Sequence, residues 1–306
     1  MSETLPLVSI VIDNYNYGRF LGQAIESALN QTYRNTEVIV VDDGSTDDSR
    51  TIIASYLDRI IPVLKENGGH ASAFNAGFAA SSGDYLCLLD SDDYFYPQKV
   101  ATVLEIMSAK DVAKPLLLYH LLDIVDESGR GETATFPERI FACEPNLLEY
   151  ARKYAFVPFV SSPTSGITVG RTLARQIFPI PEVRMSAEDF VVRAAALLGE
   201  IHGLPLSLAA YRRHGTNAWL NSRPPKPIEY METMEAYLNQ KLKENNIHQS
   251  IDFFGSIYGR PYAEGSFRRM WNLAWSVLRR CQDRTTVTFF LKAQCIALKC
   301  LLRGSL

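Results

Sequence analysis

The sequence contains few cysteines and no excess of basic residues. Its 306 residues include five cysteines, which are scattered and form no Cys-x-x-Cys pair, so neither a disulfide framework nor a cysteine-rich zinc site is predicted. Reduced thiols of this kind are typical of cytosolic proteins. The formal net charge is −3, which gives no electrostatic reason to expect binding to nucleic acid.

Long apolar segments are also missing. No uninterrupted apolar run approaches the roughly 18 residues that indicate a transmembrane helix. The N-terminal segment has acidic Glu3 and only a short apolar stretch, which is not the pattern of a signal peptide. A cytoplasmic protein is therefore expected. Hydrophobic residues make up 47% and charged residues 21% of the chain, as in ordinary globular proteins, and the length predicts two domains or one large domain with an appendage.

Two nucleotide-binding signatures are absent. A dinucleotide oxidoreductase has Gly-x-Gly-x-x-Gly after its first strand, whereas the nearest sequence here, Gly129-Arg-Gly131, lies in a polar turn that opens no helix. A sugar nucleotidyltransferase is disfavoured because no glycine-rich, basic phosphate loop follows the first predicted strand. Both enzyme classes are therefore set aside.

Strand and helix patterns alternate through the first hundred residues. Four short apolar runs have the composition of buried strands: 7–12, 38–41, 60–64 and 85–89. Apolar residues at helical spacing lie between them. This order predicts an α/β fold, with a mainly parallel sheet sandwiched by helices. Ligands of such sheets bind beyond the carboxyl ends of the strands, where three polar clusters occur: 13–18, 42–45 and 90–93.

The predicted strand at 85–89 leads into three carboxylates, Asp90, Asp92 and Asp93. At an effective dielectric near 20, two like charges about 4 Å apart repel by roughly 4 kcal/mol, which is unfavourable in a packed core. A hard divalent cation such as Mg²⁺ or Mn²⁺ relieves this repulsion, because it takes carboxylate and phosphate oxygens as ligands. The alternative is a solvated turn, since Asp is common in turns.

These features occur in the order found in one enzyme family. The motifs are Val8-Ser-Ile-Val-Ile-Asp-Asn-Tyr-Asn16, Ala24-Ile-Glu-Ser-Ala-Leu-Asn-Gln-Thr-Tyr33, Glu37-Val-Ile-Val-Val-Asp-Asp-Gly-Ser45, Asn75-Ala-Gly77, Gly83-Asp-Tyr85, Asp90-Ser-Asp-Asp93, Glu188-Asp189 and Tyr211-Arg-Arg-His-Gly-Thr-Asn217. Over about residues 6–218, the chain resembles a family 2 glycosyltransferase with a GT-A fold. It departs from that family at Asp13, where proline is usual, and at Phe74, where many members have arginine.

The resemblance implies how the donor is bound. Asp43 corresponds to the acid that recognises the nucleotide base, since a carboxylate can accept the N3–H of uracil; alternatively, it only forms an Asx turn and helix cap. Donor contacts are implied for Asp13, Asn14, Tyr15, Asn16, Asn75, Asp90, Ser91, Asp92 and Arg213. Residues 90–93 correspond to the family's DxD-type motif, and the implied ligands of Mn²⁺ or Mg²⁺ are Asp92, Asp93 and His214.

The pair Glu188-Asp189 precedes a predicted helix and corresponds to the family's acidic pair, in which the second residue is the base. The resemblance therefore implies that Asp189 activates the acceptor hydroxyl for a single inverting displacement. The local alternative is that both acids only stabilise the helix, by about 0.3–1 kcal/mol. His70, which follows two glycines, is expected either near the sugar or in a solvated loop.

The C-terminal part differs in composition. Residues 222–227 have the composition of a linker and divide a predicted transferase domain, 1–220, from a helical C-terminal extension, 221–306. Residues 266–306 carry a net charge of +7, which leaves −10 for the rest, and Trp271 and Trp275 lie one helical turn apart. This segment is expected either to pack on the core or on a second subunit as a homodimer contact, or to bind the inner face of the membrane.

The sequence thus predicts a metal-dependent inverting glycosyltransferase of hexosyltransferase type. Its expected donor is a nucleotide-diphosphate sugar, namely a UDP-sugar. Its expected acceptor is a glycan or a lipid-linked molecule in polysaccharide or cell-envelope assembly. The alternative is a non-catalytic subunit that binds sugar nucleotides or carbohydrate. Transfer or donor hydrolysis that depends on Asp189 distinguishes the two.

Overall fold

The fold is described from a computed structural model, which covers residues 5–108, 115–137, 163–184, 186–217 and 227–252, together with Leu148. The first part alternates strands and helices: β1 (Val8–Asn14), α1 (Gly18–Leu29), β2 (Thr36–Asp42), α2 (Ser49–Ala54), β3 (Ile61–Leu64), α3 (His70–Ala80) and β4 (Tyr85–Asp90). The rest contains β5 (Tyr94–Phe95), α4 (Lys99–Ser108), β6 (Leu116–Val125), β7 (Gly131–Phe136), a 3₁₀ turn (Thr164–Gly166), β8 (Ile167–Gly170), α5 (Arg171–Ile177), α6 (Ala187–Leu198), β9 (Glu200–Arg212) and α7 (Pro227–Glu244).

The strands of the described residues form one sheet in the order β3-β2-β1-β4-β8-β6-β9-β5, with β7 beside β6. The strands β1 to β4 all run in the same direction, whereas β8 is antiparallel to both of its neighbours. The register places Asp13 beside Asp90 and Asn14 beside Asp42. The predicted α/β fold is confirmed. Because β1 to β4 are parallel, their polar carboxyl ends lie at the same edge of the sheet.

The parallel strands β1, β2 and β4 are buried on both faces, whereas the edge strand β3 is mostly exposed. On β1, Val11 faces a hydrophobic cluster with α3, α5, α6 and α7, whereas Ile10 and Ile12 face a second cluster with α1, α2 and α4. Successive side chains of a strand point to opposite faces, so a strand covered on both sides is a continuous apolar run. Helices therefore sandwich the sheet, as the alternation of elements predicts.

The helix α7 shares the hydrophobic core beneath the sheet. Met234, Leu238 and Leu242 are buried in the same cluster as α6, and the Tyr237 hydroxyl donates to the Ile177 carbonyl at 2.8 Å. The proposed division at residue 220 precedes this helix and stays a prediction, and the segment 266–306 lies outside the described residues. Within the described part of the chain, no helix is long and apolar enough to cross a membrane.

Candidate active site

The carboxyl ends of β1 and β4 place two acids beside the first residue of α3. His70 Nε2 lies 3.5 Å from Asp13 Oδ2 and 3.6 Å from Asp90 Oδ1. Burial raises the pKa of Asp13 well above its usual value; His70 opposes this shift, while Asp90 and Asp92 add to it. The space beyond these strand ends, the crevice, therefore has an excess of carboxylates.

His70 also faces α6. Its Nδ1 is 3.6 Å from Glu188 Oε2, and its ring meets the Phe74 ring at a steep angle, with 4.3 Å between centroids. Burial alone would lower the pKa of His70, but the surrounding carboxylates outweigh burial and raise it to about 10. Those carboxylates belong to Asp13, Asp90 and Glu188. His70 therefore links β1, β4 and α6 through its contacts with Asp13, Asp90 and Glu188.

The two acids of the predicted catalytic pair have different surroundings. Glu188 faces His70, its buried Oε2 has no hydrogen-bond partner, and burial raises its pKa to about 7. Asp189 accepts a hydrogen bond from the Tyr230 hydroxyl at 2.9 Å and another from Arg193 Nε at 3.2 Å. The residue predicted as the base is thus held by two donors, and its neighbour faces the crevice. The catalytic role of Asp189 stays a prediction.

Asp92 contacts the polar segment that follows β9. His214 Nε2 lies 3.0 Å from Asp92 Oδ2, and Asn217 Nδ2 donates to the same oxygen at 3.3 Å. The His214 side chain is fully buried and packs against the rings of Tyr17 and Phe20. Burial raises the pKa of Asp92, although His214 opposes this shift. The fold therefore brings together two predicted metal ligands that are 122 residues apart in sequence.

Asp93 is buried, and both of its carboxylate oxygens are engaged. Oδ2 accepts a hydrogen bond from Ser165 Oγ at 2.6 Å, and Oδ1 accepts one from the backbone N–H of Arg212 at 2.9 Å. Burial raises the pKa of Asp93 well above its usual value, and Asp92 and Asp90 raise it further. Asp93 thus fastens the 3₁₀ turn and the end of β9 to the acidic motif, and its role as a metal ligand stays a prediction.

Asp43 is enclosed by the turn that precedes α3. Its Oδ1 accepts from Lys65 Nζ at 2.6 Å and from the Gly68 N–H at 3.0 Å, and its Oδ2 accepts from Asn67 Nδ2 at 3.1 Å and from the Gly69 N–H at 2.7 Å. Gly69 has a φ of +90°, which glycine adopts without steric cost. A uracil N3–H would have to share or displace one of these four donors, so base recognition by Asp43 stays a prediction.

The turn after β1 is fastened to the turn after β2. Asn14 Nδ2 donates to Ser45 Oγ at 3.1 Å, and Asn16 Oδ1 accepts from the Thr46 N–H at 2.7 Å. Tyr15, which lies between the two asparagines, is 46% exposed. Asn14 and Asn16 therefore shape this wall of the crevice, whereas the Tyr15 ring is open to a ligand.

Three further residues predicted to bind the donor have other surroundings. Asn75 pairs with the backbone of Ile180 through both ends of its amide, each at 2.9 Å, which fastens the loop before α6. Arg213 is half exposed and pairs with Glu132 at 3.2 Å. Ser91 is buried and its hydroxyl oxygen has no partner. The donor contacts predicted for these residues remain untested, and the amide of Asn75 already has a structural function.

Sequence reasoning assigned no role to several residues that arrange the site: Lys65, Ser165, Arg193, Asn217 and Tyr230. Asn217 ends a motif of the family resemblance and binds Asp92, so a signal for it was present. Tyr230 lies 41 residues after Asp189 and beyond the region of resemblance, so no motif pointed to it. These residues act by holding the acids rather than by lining the crevice.

Comparison with known proteins identifies the family. The family model described as Glycosyl transferase family 2 matches residues 9–156. An uncharacterized glycosyltransferase from Nostoc sp. is 31% identical over 291 residues, which cover 89% of this chain and 88% of that protein. The chain belongs to glycosyltransferase family 2. It is therefore an enzyme, as the motifs predict, and the non-catalytic alternative has no support.

Other relatives named as glycosyltransferases match less than half of the chain. An uncharacterized glycosyltransferase from Rickettsia prowazekii is 40% identical over 139 residues, 45% of this chain and 43% of that protein. Glycosyltransferase GlyG from Streptococcus pneumoniae is 37% identical over 130 residues, 41% of this chain and 42% of its own length. Among solved structures, S. aureus TarS 1–349 in complex with UDP-GlcNAc has a TM-score of 0.57 at 20% identity, covering 89% of this chain and 81% of that one. This likeness confirms the GT-A fold.

Proposed function

We propose that this glycosyltransferase is metal-dependent and inverting, and that it moves a sugar from a UDP-sugar to a hydroxyl of a glycan or lipid-linked acceptor. The observation that carries the proposal is the cluster of Asp90, Asp92 and Asp93, whose ligand atoms lie within 4.8 Å of one another at the end of β4. The UDP part is supported by S. aureus TarS, which has the same fold and was solved with UDP-GlcNAc and with UDP. Polysaccharide or cell-envelope assembly is the proposed context.

The residues at this strand end fit a hard divalent cation. Carboxylate oxygens are the ligands that Mg²⁺ and Mn²⁺ prefer, and Asp13 Oδ1 beside them is buried without a partner. Asp92, Asp93 and His214 are the proposed ligands; Asp90 lies in the same acidic cluster, and His214 contacts Asp92. When bound, the cation would offset the charge that develops on the leaving diphosphate.

The remaining chemistry is assigned to residues of α6. Asp189 would accept the proton of the acceptor hydroxyl, whose oxygen bonds to the anomeric carbon while the bond from that carbon to UDP breaks. Attack from the side opposite the leaving group inverts the configuration. Tyr230 and Arg193 support this assignment because they hold the Asp189 carboxylate in one place. Holding a catalytic group in a fixed orientation contributes much of the rate enhancement of enzymes.

The test compares UDP binding and sugar transfer with Mn²⁺ and with excess chelator. We expect the wild type to need the cation, and Asp92→Ala to lose cation-dependent UDP binding and transfer while still unfolding cooperatively. Glu105→Ala, at an exposed position of α4, is the matched control and should retain both activities. Full transfer by the wild type in excess chelator would overturn metal dependence.

The C-terminal segment 266–306 carries a separate part of the proposal. Its net charge of +7 and paired tryptophans support binding to an anionic membrane surface, where each basic residue contributes roughly 1 kcal/mol. Co-sedimentation with anionic vesicles at low and high salt tests this. Absence of binding, together with loss of dimerisation on truncation at 265, would assign the segment to a homodimer contact.

A further inference from the structure

Asp13, His70 and Glu188 form a cluster between the acidic motif and the helix that bears the predicted base. His70 is in ion-pair range of both acids, at 3.5 Å from Asp13 and 3.6 Å from Glu188. It also reaches Asp90, at 3.6 Å. The side chains of the three cluster residues are 16–21% exposed, so they are buried in the crevice wall but still reach its surface.

Three polar atoms of this cluster lack hydrogen bonds, whereas His70 Nδ1 accepts one from the Ala187 N–H at 3.4 Å. Asp13 Oδ1, His70 Nε2 and Glu188 Oε2 are each buried without a hydrogen-bond partner. Buried polar side-chain atoms in folded proteins normally have such partners, and leaving one unsatisfied costs stability. Sugar hydroxyl and amide groups both donate and accept hydrogen bonds, so a sugar ring would satisfy carboxylate acceptors and an imidazolium donor at once.

The position of the cluster fits the sugar of the donor. This step rests on the proposed function, in which the diphosphate lies at Asp90 and Asp92 and the acceptor is activated at the start of α6. The transferred sugar must then lie between β4 and α6. His70 spans this interval, since it contacts Asp90 on one side and Glu188 on the other.

The charges of the cluster disfavour a further anion. Two carboxylates of the cluster and Asp90 surround a single imidazolium. A further carboxylate placed in this cluster would therefore meet more carboxylates than cations. Asp13 contributes one of these carboxylates from β1, beside Asp90 of β4.

We propose that Asp13, His70 and Glu188 form the sugar subsite, and that this subsite selects donor sugars with uncharged substituents, such as hydroxyl or acetamido groups, over uronic acids. Like charges brought together in a binding site weaken binding, which discriminates between donors. The carboxylates accept hydrogen bonds from the ring substituents, and His70 keeps the two acids in place. A C6 carboxylate on the sugar would add a negative charge beside Asp13 and Glu188, where His70 is already in ion-pair range of both acids.

The test uses donors that differ only at C6. The affinities of UDP-glucose, UDP-glucuronate and free UDP for the full chain are measured with Mn²⁺ at pH 8, above the raised pKa of Glu188. We expect UDP-glucuronate to bind at least about tenfold more weakly than UDP-glucose. Asp13→Asn and Glu188→Gln should each reduce this ratio by at least about threefold, since each removes one negative charge. Retained affinity for free UDP shows that each variant is folded.

The control variant is Asp58→Asn, which removes an acid from an exposed position outside the crevice; its donor ratio should equal that of the wild type. Equal affinity of the wild type for the two donors would overturn this inference and leave the proposed function intact. A donor ratio that neither substitution changes would overturn the assignment to this cluster. Failure of the wild type to bind UDP at all would overturn the proposed function and this inference together.

Discussion

The Tyr230 hydroxyl, on α7, donates a hydrogen bond to Asp189 Oδ2 at 2.9 Å. This helix begins at Pro227, ten residues after Asn217, where the preceding described segment ends. Burial raises the pKa of Tyr230, and Asp189 raises it further, so the hydroxyl stays protonated and acts as a donor. Phe190 packs edge-on against the ring, with 5.4 Å between centroids. The predicted base is therefore positioned by α7 as well as by its own helix.

The first prediction tests this contact. Tyr230→Phe should lower kcat by about tenfold, because a hydrogen bond to a charged group is worth about 1.5–3 kcal/mol, and should change UDP affinity little. The measurement is steady-state transfer together with UDP binding. Tyr237→Phe is the matched control, since it removes a buried hydroxyl from the same helix that bonds only to the Ile177 carbonyl. If both variants lose kcat equally, α7 has only a structural role.

The second prediction separates the two acids of α6. Asp189→Asn should lower kcat by at least about 10²-fold, the lower end for general base catalysis, with little change in UDP affinity. Glu188→Gln should act mainly on KM for the donor, because Glu188 faces His70 rather than Tyr230. Single-turnover rates and KM values for both variants provide the measurement. If Glu188→Gln abolishes turnover and Asp189→Asn does not, Glu188 is the base.

Much of the fold could be predicted because its central strands β1, β2 and β4 are buried on both faces and are therefore apolar runs. Each of the four predicted strands is present, with ends that differ by at most two residues from β1, β2, β3 and β4. The start of α2 is less evident from the sequence: Ser45 and Asp48 have the spacing of a capping box, but α2 begins at Ser49 and Ser45 binds Asn14 and Asn16 instead. That competing contact comes from another turn of the chain and leaves no local sequence signal.

For the candidate site, too, one part could be predicted from the sequence and another part could not. The acids at the end of β4 follow from their position after an apolar run, but the direction of each side chain does not. Asp93 turns into the core because Ser165 and the Arg212 backbone, 72 and 119 residues away, supply its donors. Asp92 stays near the crevice, where His214 meets it. Tertiary contacts of this range decide which acid is available to a ligand.

The third prediction concerns Asp43. Asp43→Asn should lower the free energy of unfolding by about 1–3 kcal/mol, because its amide group would face an N–H or ammonium donor in place of a carboxylate oxygen. It should also reduce the preference for UDP over CDP if Asp43 accepts the uracil N3–H, since cytosine has no proton at N3. Chemical unfolding and competitive nucleotide binding measure the two effects. An unchanged UDP-to-CDP ratio with reduced stability would leave Asp43 only its structural role.

The last prediction concerns pH and uses the protein in chelator, without a bound cation. The pKa of His70 is raised from 6.5 to about 10 in the folded state, so the folded state binds this proton more tightly than the unfolded state does. Its ion pairs therefore stabilise the fold fully below about pH 6.5, and that contribution is lost as the pH rises through about 10. Glu188 acts in the same direction between its ordinary pKa of 4.5 and its raised value of about 7.

The variant that isolates His70 is His70→Gln. Its free energy of unfolding should fall below that of the wild type most strongly near pH 6, and the difference between the two should shrink steadily toward pH 10. His248→Gln, at an exposed position after α7, should show no such dependence and is the matched control. Urea unfolding at pH 6, 8 and 10 measures these differences. A difference between wild type and His70→Gln that stays constant with pH would mean that His70 contributes through packing against Phe74 rather than through its charge.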